Sequence, residues 1–295
     1  MNNTDNKQLL FTSTGEPSGY IDSTELRELW FHTGTKCNLR CPSCFEKSSP
    51  ESDRLEQLAF EEVKPLMDKA ISMNVRSLSF TGGEPFINKE FISMLDYALD
   101  YKPCLVLTNG TQPMQNSFAK IAELLTKPNN LSFRISLDFP NEEEHDQIRG
   151  KGNFALAVKS LKMLHESRFE IAVAGRCESR KNEYRTLFAN LAIPEDTPMV
   201  FFPELEDVDC TPEITENCMT YKNAETRSLF MCNYSKMVVK KNGKVRVYAC
   251  TLVDDDDFYD FGTNLSEAMK KRIFLKHKRC YSCFANGVSC SASTG

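Results

Sequence analysis

Six short apolar runs alternate with stretches of helical periodicity between residues 29 and 203, and this alternation constrains the fold more than any other feature of the chain. The runs cover residues 29–33, 77–81, 104–108, 131–137, 169–174 and 199–202, each short enough for a strand buried on both faces. Between them, residues 58–73, 89–99, 117–125, 154–165 and 183–191 carry apolar side chains at helical spacing. Units of this length join parallel strands through right-handed crossovers and gather their functional loops at the strands' carboxyl ends. The predicted fold class is therefore α/β, a partial (β/α)6 barrel, and 295 residues leave room for a small second domain.

Charge and cysteine content narrow the function classes. The net charge of -5 argues against a surface that tracks phosphates, so no nucleic-acid partner is expected. The first ten residues lack the apolar run of a signal peptide, and no apolar stretch reaches membrane-spanning length, which predicts a cytoplasmic protein without a membrane partner. In that compartment twelve cysteines read as metal ligands and buried thiols, not as a disulfide framework. Three of them, Cys37, Cys41 and Cys44, lie within eight residues of the loop that follows the first predicted strand. Three thiolates so placed can hold one corner of an iron-sulfur cube and leave one iron open for another ligand. Zinc is the rival, although it prefers four ligands grouped as two close pairs.

Further candidates stand at the ends of the strands. Gly82-Gly83-Glu84-Pro85 follows the second strand, where paired glycines let a ligand approach the backbone; taken alone, the same four residues make an ordinary tight turn. Ser136 and Asp138 share a face at the end of the fourth strand. Arg176 follows the fifth, where its guanidinium fork would suit a carboxylate or simply face solvent.

The CxxxCxxC spacing together with Gly-Gly-Glu-Pro resembles the radical S-adenosylmethionine (SAM) superfamily over residues 29–203. The resemblance implies a catalytic 4Fe-4S cluster on Cys37, Cys41 and Cys44, SAM on the open iron, and reductive cleavage to a 5′-deoxyadenosyl radical. It places Gly82, Gly83, Glu84 and Pro85 at the SAM amino group, and Ser136 and Asp138 at its ribose and carboxylate. Asn109-Gly110 and the segment from His145 to Gly150 also resemble superfamily segments, and a flavodoxin or ferredoxin-type electron donor is implied. One departure concerns adenine, against which many members set an aromatic residue just before the third cysteine. Here Ser43 holds that place and Phe45 is the neighbouring substitute.

The last third has a different grammar. Two extended runs around Asn242-Gly243 predict a hairpin over residues 237–248, which would bring Cys232 and Cys250 toward each other. A helix beginning in residues 262–269, with Asn264 or Ser266 as cap, would deliver the chain to Cys280 and Cys283. This order resembles the Twitch and SPASM extensions of radical SAM enzymes and implies one auxiliary 4Fe-4S cluster on Cys232, Cys250, Cys280 and Cys283. Cys290 is an alternative ligand, and a four-thiolate zinc site stays open. The expected organisation is a loose arm at 1–25, the barrel at 26–204, a connector at 205–231 and the cluster domain at 232–295. Cys210 and Cys218 in the connector are the candidate catalytic hydrogen donors; Cys104 and Cys177 read as small core residues, and the acidic run 254–257 as a solvated loop.

The expected function is a radical SAM oxidoreductase that completes a net two-electron oxidation of a small-molecule or peptide substrate. Modification of a ribosomal peptide, by thioether formation or epimerisation, is the alternative; the 36 residues before Cys37 are too few for the peptide-recognition domain many such enzymes carry. An electron-transfer or cluster-scaffold protein is the reading from another class, and Gly-Gly-Glu-Pro with the strand-end residues argues against it.

Overall fold

The computed structural model describes residues 10–202, 211–222 and 224–286, and it divides into two compact units. One comprises residues 30–204 and 239–245, the other residues 1–29, 205–238 and 246–295.

The barrel unit is built on six strands: β1 (Glu28–His32), β2 (Ser77–Thr81), β3 (Cys104–Thr108), β4 (Leu131–Ser136), β5 (Glu170–Gly175) and β6 (Met199–Phe201). They stand side by side in chain order. From β2 to β6 each pair is parallel, with Cys104 opposite Leu131 and Thr108 opposite Ile135. Seven helices accompany them: α1 (Phe60–Ser72), α2 (Phe91–Leu99), α3 (Gln112–Asn116), α4 (Phe118–Glu123), α5 (Glu142–Arg149), α6 (Asn153–Glu166) and α7 (Lys181–Asn190). The core between sheet and helices is aromatic, with Phe80 against Phe91 at 5.5 Å and Phe133 against Phe169 at 5.3 Å between ring centres.

Two helices depart from the periodicity. The helix expected over 117–125 is α4, continued by the 3-10 turn Leu124–Thr126, and an unexpected short helix, α3, precedes it and ends at Ser117, whose hydroxyl donates to the carbonyl of Pro113. α5 was invisible to apolar period because only His145 of its eight residues is buried. It forms by end effects: Asn141 caps it by accepting the Glu144 N–H at 3.0 Å, three glutamates occupy the first turn, and Arg149 the last.

In the other unit, β7 (Ser235–Lys241) and β8 (Lys244–Tyr248) form the expected hairpin. Asn242 (φ 52°) and Gly243 (φ 70°) both take the positive φ that a two-residue hairpin turn requires. Its tip belongs with the barrel residues, where the Glu56 N–H donates to the Lys240 carbonyl at 2.9 Å. Asn264 caps the helix Leu265–Ala268, accepting the Glu267 N–H at 3.2 Å. Cys280 and Cys283 lie on a helix of their own, Lys278–Asn286, which the sequence reading did not assign.

Two expectations need correction. The described part of the N-terminal arm is not loose: Tyr20–Ile21 pairs antiparallel with Ile273–Phe274, Gly19 donates to the Ile214 carbonyl, and Ile21 is 2% exposed. Segments from both ends of the chain thus share one unit, where the sequence reading divides them into an arm, a connector and a cluster domain. The acidic run is not wholly solvated either, since Asp254 is buried. Residues 1–9, Cys210 and Cys290 lie outside the described residues. Among those described, no helix is long and apolar enough to cross a membrane.

Candidate active site

The cysteine loop leaves β1 and is seated at once on the end of β2. Thr33 donates to the Thr81 carbonyl at 2.8 Å, Gly83 donates to the Gly34 carbonyl at 2.9 Å, and Glu84 donates to the Lys36 carbonyl at 3.0 Å. A Cβ on Gly83 would stand 2.4 Å from the Lys36 oxygen, and one on Gly82 2.5 Å from Thr33 Oγ1. The paired glycines are therefore required first by the loop's own backbone, which no side chain can separate from this turn. The loop is closed on its other side by the Cys37 N–H on the Ser49 carbonyl at 3.0 Å.

All three thiols are free; Cys37 is buried, and Cys41 and Cys44 are half-buried. Burial pushes the Cys37 thiol up to about 12, with the charges of Glu84, Cys41 and Cys44 adding to the rise. Burial also raises Cys41, against the pull of Arg149 and Arg176. Two donors reach the Cys37 sulfur, the Leu39 N–H at 3.4 Å and Asn109 Nδ2 at 3.7 Å. Crowded thiols with N–H groups directed at sulfur suit an iron-sulfur cluster, and three ligands do not meet the tetrahedral preference of structural zinc.

Glu84 is buried beneath the loop and surrounded by donors. It accepts Thr108 Oγ1 at 2.8 Å, the Asn109 N–H at 2.9 Å and the Phe86 N–H at 3.2 Å. Burial nevertheless pushes its carboxyl up to about 7. Asn109 ties this group to the cysteine loop through Nδ2, which donates to Asn38 Oδ1 at 3.0 Å.

Asp138 lies just past β4, 5% exposed, and is held by two guanidiniums. Arg149 donates from Nε and Nη2 to its two oxygens at 2.9 Å each, and Arg176 Nε is 3.4 Å away. Burial raises the Asp138 carboxyl, but Arg149 and then Arg176 outweigh it and hold the group below its ordinary value. Arg176 also donates to the hydroxyl of Ser43, the residue standing where an aromatic was expected. Ser136 is half-buried on β4, and Phe45 is exposed. Arg149 lies in the segment from His145 to Gly150 that sequence reasoning named only as a whole, without a role for the arginine; its signal was the acidic start and basic end of the 142–149 helix.

The C-terminal unit gathers a second set of thiols from three segments. Cys232 is on the short helix Met231–Tyr234, Cys250 caps the turn Thr251–Val253, and Cys280 and Cys283 are one helical turn apart. Burial pushes Cys232 up to about 12, with Cys280 next in effect; Cys280 is pushed likewise, with Cys283 adding to it. Arg279 Nη1 donates to the Leu252 carbonyl at 3.0 Å, joining the helix to the turn after Cys250. Beside them Lys236, 0% exposed, is lowered to about 8 by burial, against the opposing charges of Cys232 and Cys250. Of the four cysteines, Cys232 and Cys250 bear on this cation, and four cysteines in one unit suit a metal cluster bound as thiolates. Cys218 belongs to the same unit, but on a separate helix, Glu216–Thr220, where the Thr215 hydroxyl holds its thiol below the ordinary value. Cys104 is buried in β3.

Residues 31–176 match the family model of the Radical SAM superfamily. The chain is 37% identical over 147 residues to the antilisterial bacteriocin subtilosin biosynthesis protein AlbA of Bacillus subtilis, a stretch covering 49% of this chain and 32% of AlbA. It is 31% identical over 147 residues to the mycofactocin maturase MftC of Mycolicibacterium smegmatis, covering 50% of this chain and 36% of MftC. It is also 30% identical over 159 residues to the sporulation killing factor maturation protein SkfB of Bacillus subtilis, covering 53% and 37%. The matched stretches thus span about a third of the length of these relatives. In fold, it is similar to the crystal structure of Streptococcus suis SuiB bound to S-adenosylmethionine, with a TM-score of 0.64 at 14% identity, over 84% of this chain and 66% of that one.

Proposed function

From a chain that belongs to the radical SAM superfamily through residues 31–176, we propose an enzyme that modifies a precursor peptide by a net two-electron oxidation. The observation that carries the oxidation is the second thiol set, Cys232, Cys250, Cys280 and Cys283, which is read as the ligand set of one auxiliary 4Fe-4S cluster. The choice of a peptide leans on the relatives, three of which are named for the biosynthesis or maturation of bacteriocin, mycofactocin and killing factor.

When bound, the catalytic cluster and SAM supply a 5′-deoxyadenosyl radical, and the auxiliary cluster supplies an acceptor for the electron the substrate gives up. The chain's own residues do the rest. Cys37, Cys41 and Cys44 hold the catalytic cluster, while the Leu39 N–H and Asn109 amide steady the Cys37 sulfur. Glu84, placed to meet the SAM amino group, is kept in position by Thr108 and Asn109. Asp138 fixes Arg149 and Arg176 near the cysteine loop, where a guanidinium fork can take a carboxylate. In this arrangement Asp138 acts through its arginines.

The test is anaerobic incubation of the reconstituted protein with reductant, SAM and any short peptide found encoded beside its gene. The expected result is 5′-deoxyadenosine together with a peptide that has lost two hydrogens, one to the deoxyadenosyl carbon and one as a proton with its electron. Cys283→Ala protein, shown to be folded by circular dichroism, should still make 5′-deoxyadenosine while product falls far more. Equal product per deoxyadenosine in that variant would sink the redox role of the second site, and an unaltered peptide would sink the choice of substrate.

A further inference from the structure

Lys236 has no place in the chemistry described so far, yet it is the most deeply buried cation of the C-terminal unit. Its Nζ donates to Ser23 Oγ at 2.8 Å, to the Ser235 carbonyl at 2.9 Å and to the Cys232 carbonyl at 3.0 Å. All three acceptors are neutral, and among the described residues no carboxylate pairs with it. Lys240 and Lys127, by contrast, hold Glu62 and the pair Asp96 and Asp100. A buried ammonium without an anion is strongly unfavourable. Two of the candidate ligand thiols, those of Cys232 and Cys250, flank its strand in sequence and belong to the same unit. Its hydrogen bond to the Cys232 carbonyl also ties it to the backbone of one of them.

We propose that the Lys236 ammonium is the built-in counter-charge of a cluster held by Cys232, Cys250, Cys280 and Cys283, and that it raises the reduction potential of that cluster. This rests on the auxiliary-cluster reading above. Four thiolates and an oxidised cubane core carry two net negative charges, and one added electron makes three without any proton moving. A fixed cation in a low-dielectric interior stabilises the more negative state more, so it favours uptake of the electron.

The test uses the full chain with Cys37, Cys41 and Cys44 changed to alanine, reconstituted anaerobically with iron and sulfide, so that only the second site is filled. Iron and acid-labile sulfide are measured, and the cluster is titrated with dithionite while the reduced form is followed by electron paramagnetic resonance. Lys236→Met in this background should lower the midpoint by about 59 mV or more, tenfold in the one-electron equilibrium. Lys236→Arg, which keeps the charge, should stay within half of that shift. An unchanged midpoint in Lys236→Met overturns the proposal. A parent that holds no cluster, or holds zinc, overturns the auxiliary-cluster reading and the proposal with it. Should Lys236→Met take up no cluster, Lys236→Gln and Lys236→Arg decide: loading of the arginine variant alone supports the counter-charge, loading of Gln brings its midpoint to the same test, and loss in all three makes Lys236 a packing residue and overturns the proposal.

Discussion

The three cysteines of the barrel unit come from one loop of eight residues, whereas the four of the C-terminal unit come from a short helix, a turn and a second helix. The first set is seated by main-chain hydrogen bonds to the end of one strand, and the cations near it, Arg149 and Arg176, both lean on the carboxylate of Asp138. The second set exists only if three segments have already met, and its cation, Lys236, leans on neutral acceptors. A site on one loop can be shaped before its ligand arrives. A site assembled from separated segments shares its free energy with the fold that assembles it, so loading and folding are linked.

The sharpest way to break this contrast is to remove one set. Changing Cys37, Cys41 and Cys44 together to alanine should lower bound iron from about eight to about four per chain and abolish SAM cleavage. Iron analysis and chromatography of 5′-deoxyadenosine check this, and persistent cleavage would remove the loop from the catalytic role.

The next effect belongs to Glu84. Its carboxyl is raised to about 7 in the folded chain from the ordinary 4.5, so the stability it contributes is fully present below pH 4.5 and is lost as pH rises through 7. Urea unfolding of the metal-free protein and of Glu84→Gln should show the wild type losing about 3 kcal/mol relative to the variant between pH 4.5 and pH 8. A constant difference would mean that the surrounding donors cancel the effect of burial.

Arg149→Met should cost about 2 kcal/mol in urea unfolding, below the full penalty for breaking a buried pair because Asp138 keeps Arg176 and the arginine is partly exposed. A cost near zero would make the clamp a surface pair. The smallest effect should be that of Asn264→Ala, about 1 kcal/mol for loss of a helix cap. If the second set depends on the folding of its unit, this variant should release iron from that set sooner than from the loop on dilution, and equal release from both would erase the contrast.

The barrel was legible because burial on both faces leaves continuous apolar runs, and Ser77–Thr81 and Cys104–Thr108 fall where those runs predict. The hairpin was legible because Asn242-Gly243 is a turn with a mechanism. α5 was not, since polar helices held by caps and end charges carry no apolar period. With the helix unassigned, Arg149 could be named only as part of a segment, and its pairing with Asp138 beside Arg176 stayed out of reach. The pairing of Tyr20–Ile21 with Ile273–Phe274 was equally out of reach, because a two-residue strand has no period and its partner lies at the other end of the chain. Lys236 escaped notice because a lysine in an apolar strand reads as a solvent-facing residue until the fold shows what surrounds it.

The seam between Gly83 and the cysteine loop has a mechanical meaning. A Cβ at residue 83 would stand 2.4 Å from a main-chain carbonyl, and the successive N–H groups of residues 83 and 84 donate to the carbonyls of residues 34 and 36, so the two strands of backbone meet in direct contact. Glu84 is therefore fastened to the residue that immediately precedes Cys37. The carboxylate and the sulfur are thus hung on one short run of main-chain hydrogen bonds.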